Sequence, residues 1–133
     1  MTASSAHGPQ RRVAVLADDL IWATRLAGHI RSAGAEPVAA RDTATFVAAL
    51  EGTSLAIVDL TARAYDGVAA IERATASGAR VLAVGQHDDR ELRQRALAAG
   101  AERVFAYRKL FEDGPRTLEA WLAGSPAGEG ATR

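Results

Sequence analysis

Five short runs of β-type residues, separated by stretches with helical spacing, predict a parallel β-sheet. Four of these runs are nearly continuous in apolar residues, as in strands whose two faces are both covered by helices. The remaining run, at 36–40, is more polar and contains Pro37. Because proline cannot donate to a strand ladder, we expect this strand at the edge of the sheet. The predicted strands lie near residues 12–17, 36–40, 54–59, 80–84 and 102–107.

The stretches between these strands have the pattern of amphipathic helices. In the first stretch, Trp22, Leu26 and Ile30 recur every fourth residue and therefore share one helical face. Asp88 is expected to cap the fourth helix. After the last strand, Gly114-Pro115 predicts a turn followed by a short helix from Pro115. The four earlier helices are predicted near residues 20–32, 42–50, 67–76 and 89–99.

Strand and helix thus alternate five times, which predicts a single doubly wound (βα)5 domain of the α/β class over residues 12–123. Right-handed crossovers place helices on both faces of the sheet. With the second strand at the edge, the expected strand order is 2-1-3-4-5. Residues 1–11 and 124–133 are small, polar and rich in glycine or proline, so we expect disordered tails there.

Composition narrows the classes of function. The chain has 133 residues with 16 basic and 16 acidic side chains, and this balance favours neither nucleic acid nor an anionic membrane as a partner. The absence of cysteine excludes disulfides, thiolate catalysis and zinc–thiolate sites. No apolar stretch has the length of a membrane span, and the N-terminus lacks the apolar segment of a secretory signal. We therefore expect a cytoplasmic protein.

Two of the strands end in aspartate, and these residues are the candidates for chemistry. Asp18 and Asp19 follow the first strand, and Asp59 ends the third. If these strands are neighbours, the three carboxylates surround one crevice, where their repulsion favours a bound cation. Oxygen ligands without histidine or cysteine favour Mg²⁺. Beside such an ion Asp59 could attack a phosphoryl group. Alternatively, these acids are only solvated or cap the next helix, which for Asp19 alone is a sufficient explanation.

In the order of these motifs, the chain resembles the receiver domain of two-component response regulators, which has a flavodoxin-like fold, over about residues 12–122. The acidic pair corresponds to Asp18-Asp19, and the phosphoacceptor position corresponds to Asp59. The acidic–glycine turn that opens the third helix is Asp66-Gly67, and the glycine–alanine pair before the last strand is Gly100-Ala101.

This resemblance implies that Asp19, Asp59 and the backbone carbonyl of Thr61 bind Mg²⁺ directly, with Asp18 acting through a water molecule. It implies a phosphorelay signalling role rather than an enzyme. A histidine kinase, a phosphotransfer protein or a small phosphodonor would phosphorylate Asp59. The output would be a contact with a downstream protein through the face of helix 4, strand 5 and helix 5, or with a second copy of the chain.

Two departures from the family pattern predict an atypical receiver. Gly85 stands where the family has a serine or threonine, and Tyr107 stands where it has a lysine, with Lys109 two residues further on. Tyr107 could be a packing aromatic or a switch group. An alternative is a pseudo-receiver, an interaction module that does not depend on phosphate. A small α/β hydrolase or phosphatase using Asp59 is disfavoured, because the chain has no glycine-rich phosphate loop.

Overall fold

A five-stranded parallel sheet with helices on both faces forms the fold in the computed structural model, which describes residues 11–86 and 88–124. The strands are β1 (Arg12–Leu16), β2 (Glu36–Ala40), β3 (Leu55–Asp59), β4 (Arg80–Gly85) and β5 (Ala101–Ala106). The helices are α1 (Leu20–Ser32), α2 (Thr43–Leu50), α3 (Gly67–Ala76), α4 (Arg90–Ala99) and α5 (Tyr107–Ala123). The strand order is β2-β1-β3-β4-β5, so the predicted fold class and order are confirmed. The two predicted tails lie outside the described residues, apart from Arg11 and Gly124.

Alternate residues of the central strands point into two separate hydrophobic cores. In β1, Ala14 and Leu16 belong to the core under α2, α3 and α4, whereas Val13 and Val15 belong to the core under α1 and α5. Each fully buried aliphatic side chain contributes about 1.5–3 kcal/mol. The two cores hold the sheet from both sides and fix the ends of its strands. Large helical residues in these cores are Phe46, Leu50 and Ile71 on one side and Leu26, Ile30 and Leu118 on the other.

Aspartates cap four of the helices by accepting a hydrogen bond from the backbone three residues on. The cap of α4 is Asp89, whose Oδ1 accepts from the N–H of Leu92 at 3.0 Å. The expectation that Asp88 caps this helix is therefore wrong by one residue. Asp88 lies a residue too early, because a capping carboxylate bonds to the second or third N–H of the helix.

The last helix differs from the prediction in where it begins. β5 ends at Ala106, and α5 follows at once from Tyr107, without the predicted turn between them. The predicted interruption exists as a kink at Asp113, whose φ of −130° and ψ of 25° are not helical. Pro115 then falls in the first turn after the kink, where its missing N–H is not needed. No helix in the described part of the chain is long and apolar enough to cross a bilayer.

Gly100, which directly follows α4 as its C-cap, has a positive φ of 125° that other residues rarely adopt. A Cβ atom added there would lie 2.2 Å from Oγ1 of Thr75 on α3. Glycine at this position therefore allows both the turn into β5 and the close packing of α3 against it. This gives a structural reason for the Gly100-Ala101 pair.

Candidate functional site

The carboxyl ends of β1 and β3 bring the predicted acidic residues to the same edge of the sheet. The two strands are parallel neighbours, with Leu16 paired to Val58. Asp59 ends β3 and is 1 % exposed. Asp18, which is half-buried, and Asp19, which is exposed, follow β1. The strand ends that carry these residues are therefore adjacent, and a shared crevice between them stays a prediction.

One carboxylate oxygen of Asp59, Oδ1, accepts hydrogen bonds from two other residues. The N–H and the Oγ1 hydroxyl of Thr61 donate to it at 2.9 Å and 2.8 Å. The hydroxyl of Tyr107 also donates to this oxygen and lies within hydrogen-bonding distance of the Thr61 hydroxyl. Because each hydroxyl has a single proton, the two hydroxyls cannot both donate to Oδ1 and also bond to each other. Tyr107 reaches Asp59 because α5 begins directly at the end of β5, without an intervening loop. The residue in the position of the family lysine is thus bonded to the predicted phosphoacceptor.

The ring of Tyr107 packs against Trp22, the first buried residue of α1. The ring centroids are 4.1 Å apart, and the planes are inclined at 52°. Burial raises the pKa of Tyr107 above its ordinary value, and the hydrogen bond to Asp59 raises it further. The hydroxyl, which even at its ordinary pKa of about 10 is protonated at neutral pH, therefore stays protonated and able to donate at alkaline pH as well. Tyr107 is therefore a packing aromatic that also bonds to Asp59, and its alternative role as a switch group stays a prediction.

Tyr65, which the sequence analysis did not identify, links the ends of β1 and β3. Its hydroxyl donates to the backbone carbonyls of Leu16 at 3.0 Å and Asp59 at 2.8 Å. Burial raises the pKa of Tyr65, and the negative charges of Asp59 and Asp18 raise it further. The only sequence signal was an aromatic residue directly before Asp66-Gly67. Tyr65 stabilises the edge of the sheet that carries the candidate site.

Two glycines that border the site, Gly67 and Gly85, lie next to Leu60. A Cβ atom at Gly67 would lie 3.1 Å from Cδ2 and 3.3 Å from Cα of Leu60, so a larger residue there would push on the backbone after Asp59. A Cβ atom at Gly85 would lie 3.5 Å from the side chain of Leu60, an ordinary contact distance. Packing thus favours glycine at position 67, where a larger residue would displace Leu60, whereas the fold leaves space for a small side chain at Gly85.

The donor atoms near Asp59 match Mg²⁺ in type, because carboxylate and carbonyl oxygens are its usual protein ligands. In the present conformation, Asp19 caps α1 by accepting from the N–H of Trp22 at 3.0 Å, as the alternative explanation predicted. Within residues 11–86 and 88–124, no three histidine, cysteine, aspartate or glutamate side chains are grouped closely enough to hold a metal ion. Metal binding by Asp18, Asp19, Asp59 and Thr61 therefore stays a prediction.

Lys109 does not replace the family lysine at Asp59 in this structure. Its ammonium group pairs with Asp113 at 3.7 Å, and its side chain lines a cleft of about 350 Å³ between β5 and α5. The cleft combines three basic side chains with an aromatic and aliphatic lining. Its residues are Arg103, Phe105, Lys109, Asp113, Arg116, Thr117, Ala120 and Trp121.

Comparison with solved structures identifies the fold. The signal receiver domain of NarL from Mycobacterium tuberculosis superposes with a TM-score of 0.73 at 20 % identity, covering 88 % of this chain and 100 % of that domain. A two-component response regulator from Clostridium difficile has a TM-score of 0.74 at 13 % identity, covering 85 % of this chain and 96 % of that protein. The chain therefore has the fold of response-regulator receiver domains, as the motifs predicted.

A third similar structure contains a modified aspartate. It is a response regulator from Burkholderia pseudomallei with a phosphorylated aspartic acid, a calcium ion and citrate. It is 19 % identical, with a TM-score of 0.69, and the match covers 92 % of this chain and 72 % of that one. No protein-family model matches the sequence, and no curated protein matches it.

Proposed function

We propose that the protein is an atypical receiver in phosphorelay signalling, with Asp59 as its phosphoacceptor and a protein contact as its output. The observation that carries this proposal is the buried Asp59 carboxylate at the carboxyl end of the central strand β3, in a fold shared with receiver domains. The neighbouring acidic pair, Asp18 and Asp19, supports it. The proposed reaction needs no separate catalytic residue, because the donor molecule supplies a phosphoryl group that is already activated.

In the proposed reaction, a carboxylate oxygen of Asp59 attacks the phosphorus atom of the donor, and the bond from phosphorus to the leaving group breaks. The donor is a histidine kinase, a phosphotransfer protein or a small acyl phosphate. Mg²⁺ held by Asp18, Asp19, Asp59 and the Thr61 carbonyl would offset the negative charge of the phosphoryl oxygens. The N–H of Thr61, already 2.9 Å from Asp59, would help to orient the carboxylate.

The output surface that we propose is the face of α4, β5 and α5. The cleft between β5 and α5 supports it, because Arg103, Lys109 and Arg116 outnumber the single acid, Asp113. A partner with acidic side chains would complement this charge. Tyr107 begins the helix that lines the cleft, which connects this surface to Asp59.

A phosphate-independent pseudo-receiver is the second candidate, and two observations favour it. The Tyr107 hydroxyl already bonds to Asp59, and Gly85 has no side-chain hydroxyl to bind a phosphoryl group. In this case the β5–α5 face would bind its partner in the unmodified protein.

The experiment that separates the two candidates is incubation with Mg²⁺ and acetyl phosphate, followed by intact-mass measurement. We expect the wild type to gain one phosphoryl group and Asp59→Asn to gain none. Asp88→Asn, which removes an exposed aspartate that caps no helix, is the matched control and should react like the wild type. If prolonged incubation leaves wild type and Asp59→Asn equally unmodified, the pseudo-receiver is the better account.

A further inference from the structure

We infer that the hydroxyl of Tyr107, bonded to Oδ1 of Asp59, lowers the reactivity of this carboxylate, and that departure of the hydroxyl speeds the transfer of a phosphoryl group to Asp59. This inference rests on the proposed function, because it concerns the regulation of the same carboxylate. Tyr107 is in this account a positioning residue, which acts through Asp59.

The first support is the number of donors on one oxygen. The two oxygens of a carboxylate offer about four lone-pair positions, or about two each. Oδ1 of Asp59 is within hydrogen-bonding range of three donor groups, namely the Thr61 N–H, the Thr61 hydroxyl and the Tyr107 hydroxyl. Three donors leave Oδ1 with no free lone pair. They also withdraw negative charge that Oδ1 shares with Oδ2 by resonance, so the whole carboxylate becomes a weaker nucleophile.

The second support is that Tyr107 is the donor most able to move. The Thr61 N–H belongs to the backbone directly after β3, and the Thr61 hydroxyl belongs to the same residue. Tyr107 reaches Asp59 through a long side chain from another element, the start of α5. Rotation of this one side chain would free Oδ1 without breaking the sheet.

The third support is that Tyr107 is held in the blocking position by two other groups. Trp22 packs on one side of its ring with the centroids 4.1 Å apart, and the hydroxyl of Thr61 lies beside the Tyr107 hydroxyl. The blocked state is therefore a packed arrangement rather than a chance contact.

The position of Tyr107 also connects Asp59 to the β5–α5 cleft. Since Tyr107 is the first residue of α5, its departure would change the start of the helix that lines this cleft. A partner protein that binds more tightly when Tyr107 is in one position would shift the protein toward that position. Such a partner would thereby change the reactivity of Asp59.

The test compares the initial rates of phosphorylation by acetyl phosphate and Mg²⁺ in Tyr107→Phe and wild type. In this reaction an oxygen–phosphorus bond forms at Asp59, the bond from phosphorus to acetate breaks, and acetate leaves. Tyr107→Phe keeps the ring against Trp22 and removes only the hydroxyl. Because hydrogen bonds to charged groups are among the stronger ones, we expect the rate to rise about tenfold, which corresponds to about 1.4 kcal/mol.

Tyr65→Phe is the matched control, because it removes the only other tyrosine hydroxyl in the chain from the same edge of the sheet. That hydroxyl bonds to the backbone carbonyls of Leu16 and Asp59 and not to the Asp59 side chain. Its loss loosens the edge of the sheet without uncovering Oδ1, so Tyr65→Phe should not react faster than the wild type. Tyr107→Leu is a second test variant, which should also react faster if the hydroxyl is what blocks Asp59. A general loss of structure would slow the reaction and would not accelerate it.

The outcomes separate this inference from the proposed function. Faster reaction of both Tyr107 variants, with Asp59→Asn unmodified, supports both. Equal rates for wild type and Tyr107→Phe, with Asp59→Asn unmodified, overturn the blocking role and leave the phosphoacceptor in place. No modification of any variant overturns both. In the first case, the fluorescence of Trp22 should change on phosphorylation, and Trp22→Phe should abolish that change.

Discussion

Both tyrosines keep their hydroxyls protonated by burial and by nearby carboxylates, so the protein should lose stability at alkaline pH. An unfolded tyrosine ionises near pH 10. In the folded state, the pKa values of Tyr65 and Tyr107 are raised, first by burial and then by Asp59. Above about pH 10, the unfolded chain therefore binds fewer protons than the folded chain, and the free energy of unfolding falls as the pH rises.

The size of this loss of stability follows from the coupling between proton binding and folding. Each tyrosine whose folded pKa is raised lowers the free energy of unfolding by at most about 1.4 kcal/mol between about pH 8 and pH 11. The two together give at most about 2.8 kcal/mol. Both side chains are only partly buried, so solvent screening makes these values upper bounds. Even so, they are a large share of a total stability of about 5–15 kcal/mol.

The assay is denaturant unfolding at about pH 8 and about pH 11 of wild type, the two single tyrosine-to-phenylalanine variants and the double variant, without metal. The loss of stability between the two pH values should shrink with each substitution and be smallest in the double variant. Near-ultraviolet absorbance of the folded wild type, measured in parallel, reports formation of tyrosinate.

Two results would refute this reasoning. Tyrosinate absorbance that rises around pH 10 while the protein is still folded would mean that Tyr65 and Tyr107 are not held protonated by their surroundings. An equal loss of stability in the wild type and the double variant would mean that other groups control the alkaline behaviour.

Two further predictions concern glycines near the site and in the turns. Gly100→Ala and Gly78→Ala both place a side chain at positive φ, so both carry backbone strain. The new Cβ at Gly100 would also lie 2.2 Å from Oγ1 of Thr75, whereas at Gly78 no atom lies within 4 Å of it. Gly100→Ala should therefore lower the free energy of unfolding by about 1–3 kcal/mol more than Gly78→Ala in denaturant unfolding, and equal losses would contradict the packing described. Gly85→Ser should fold with a stability within about 1.5 kcal/mol of wild type, because its Cβ meets Leu60 at 3.5 Å; a larger loss would mean that the space beside Leu60 is closed.

The fold could be predicted from the sequence because several local signals agree. The apolar runs marked the buried strands, and Pro37 marked the edge strand β2, which fixed the order of the sheet. The cap of α4 was misplaced because Asp88 and Asp89 are adjacent, and only the structure shows which carboxylate reaches the N–H of Leu92.

The start of α5 could not be predicted for a related reason. Its N-cap, Ala106, makes no side-chain capping hydrogen bond, so no residue signals the beginning of the helix. Gly114-Pro115 did signal a break, and the kink at Asp113 directly precedes it. The error was to assume that no helix precedes the break.

At the candidate site, the sequence singled out the carboxylates, Thr61 and Tyr107, but not the hydrogen bonds from Thr61 and Tyr107 to Asp59. Topology alone brings the ends of neighbouring parallel strands to one edge of the sheet, so Asp18, Asp19 and Asp59 could be assigned to that edge. The contacts of Tyr107 depend on Trp22, which lies far away in sequence on α1. Tyr65 bonds to backbone carbonyls, which every residue has, and such a contact leaves no pattern in the sequence.

The most direct test of the central claim is to locate the phosphoryl group chemically. Borohydride reduces an aspartyl phosphate to homoserine, which peptide mass spectrometry can assign to one position. After reaction of wild type and Tyr107→Phe with acetyl phosphate and Mg²⁺, we predict homoserine at position 59 in both, with a higher yield at early times in Tyr107→Phe. Homoserine at another aspartate, or at none in either protein, would contradict the assignment of Asp59 as the phosphoacceptor.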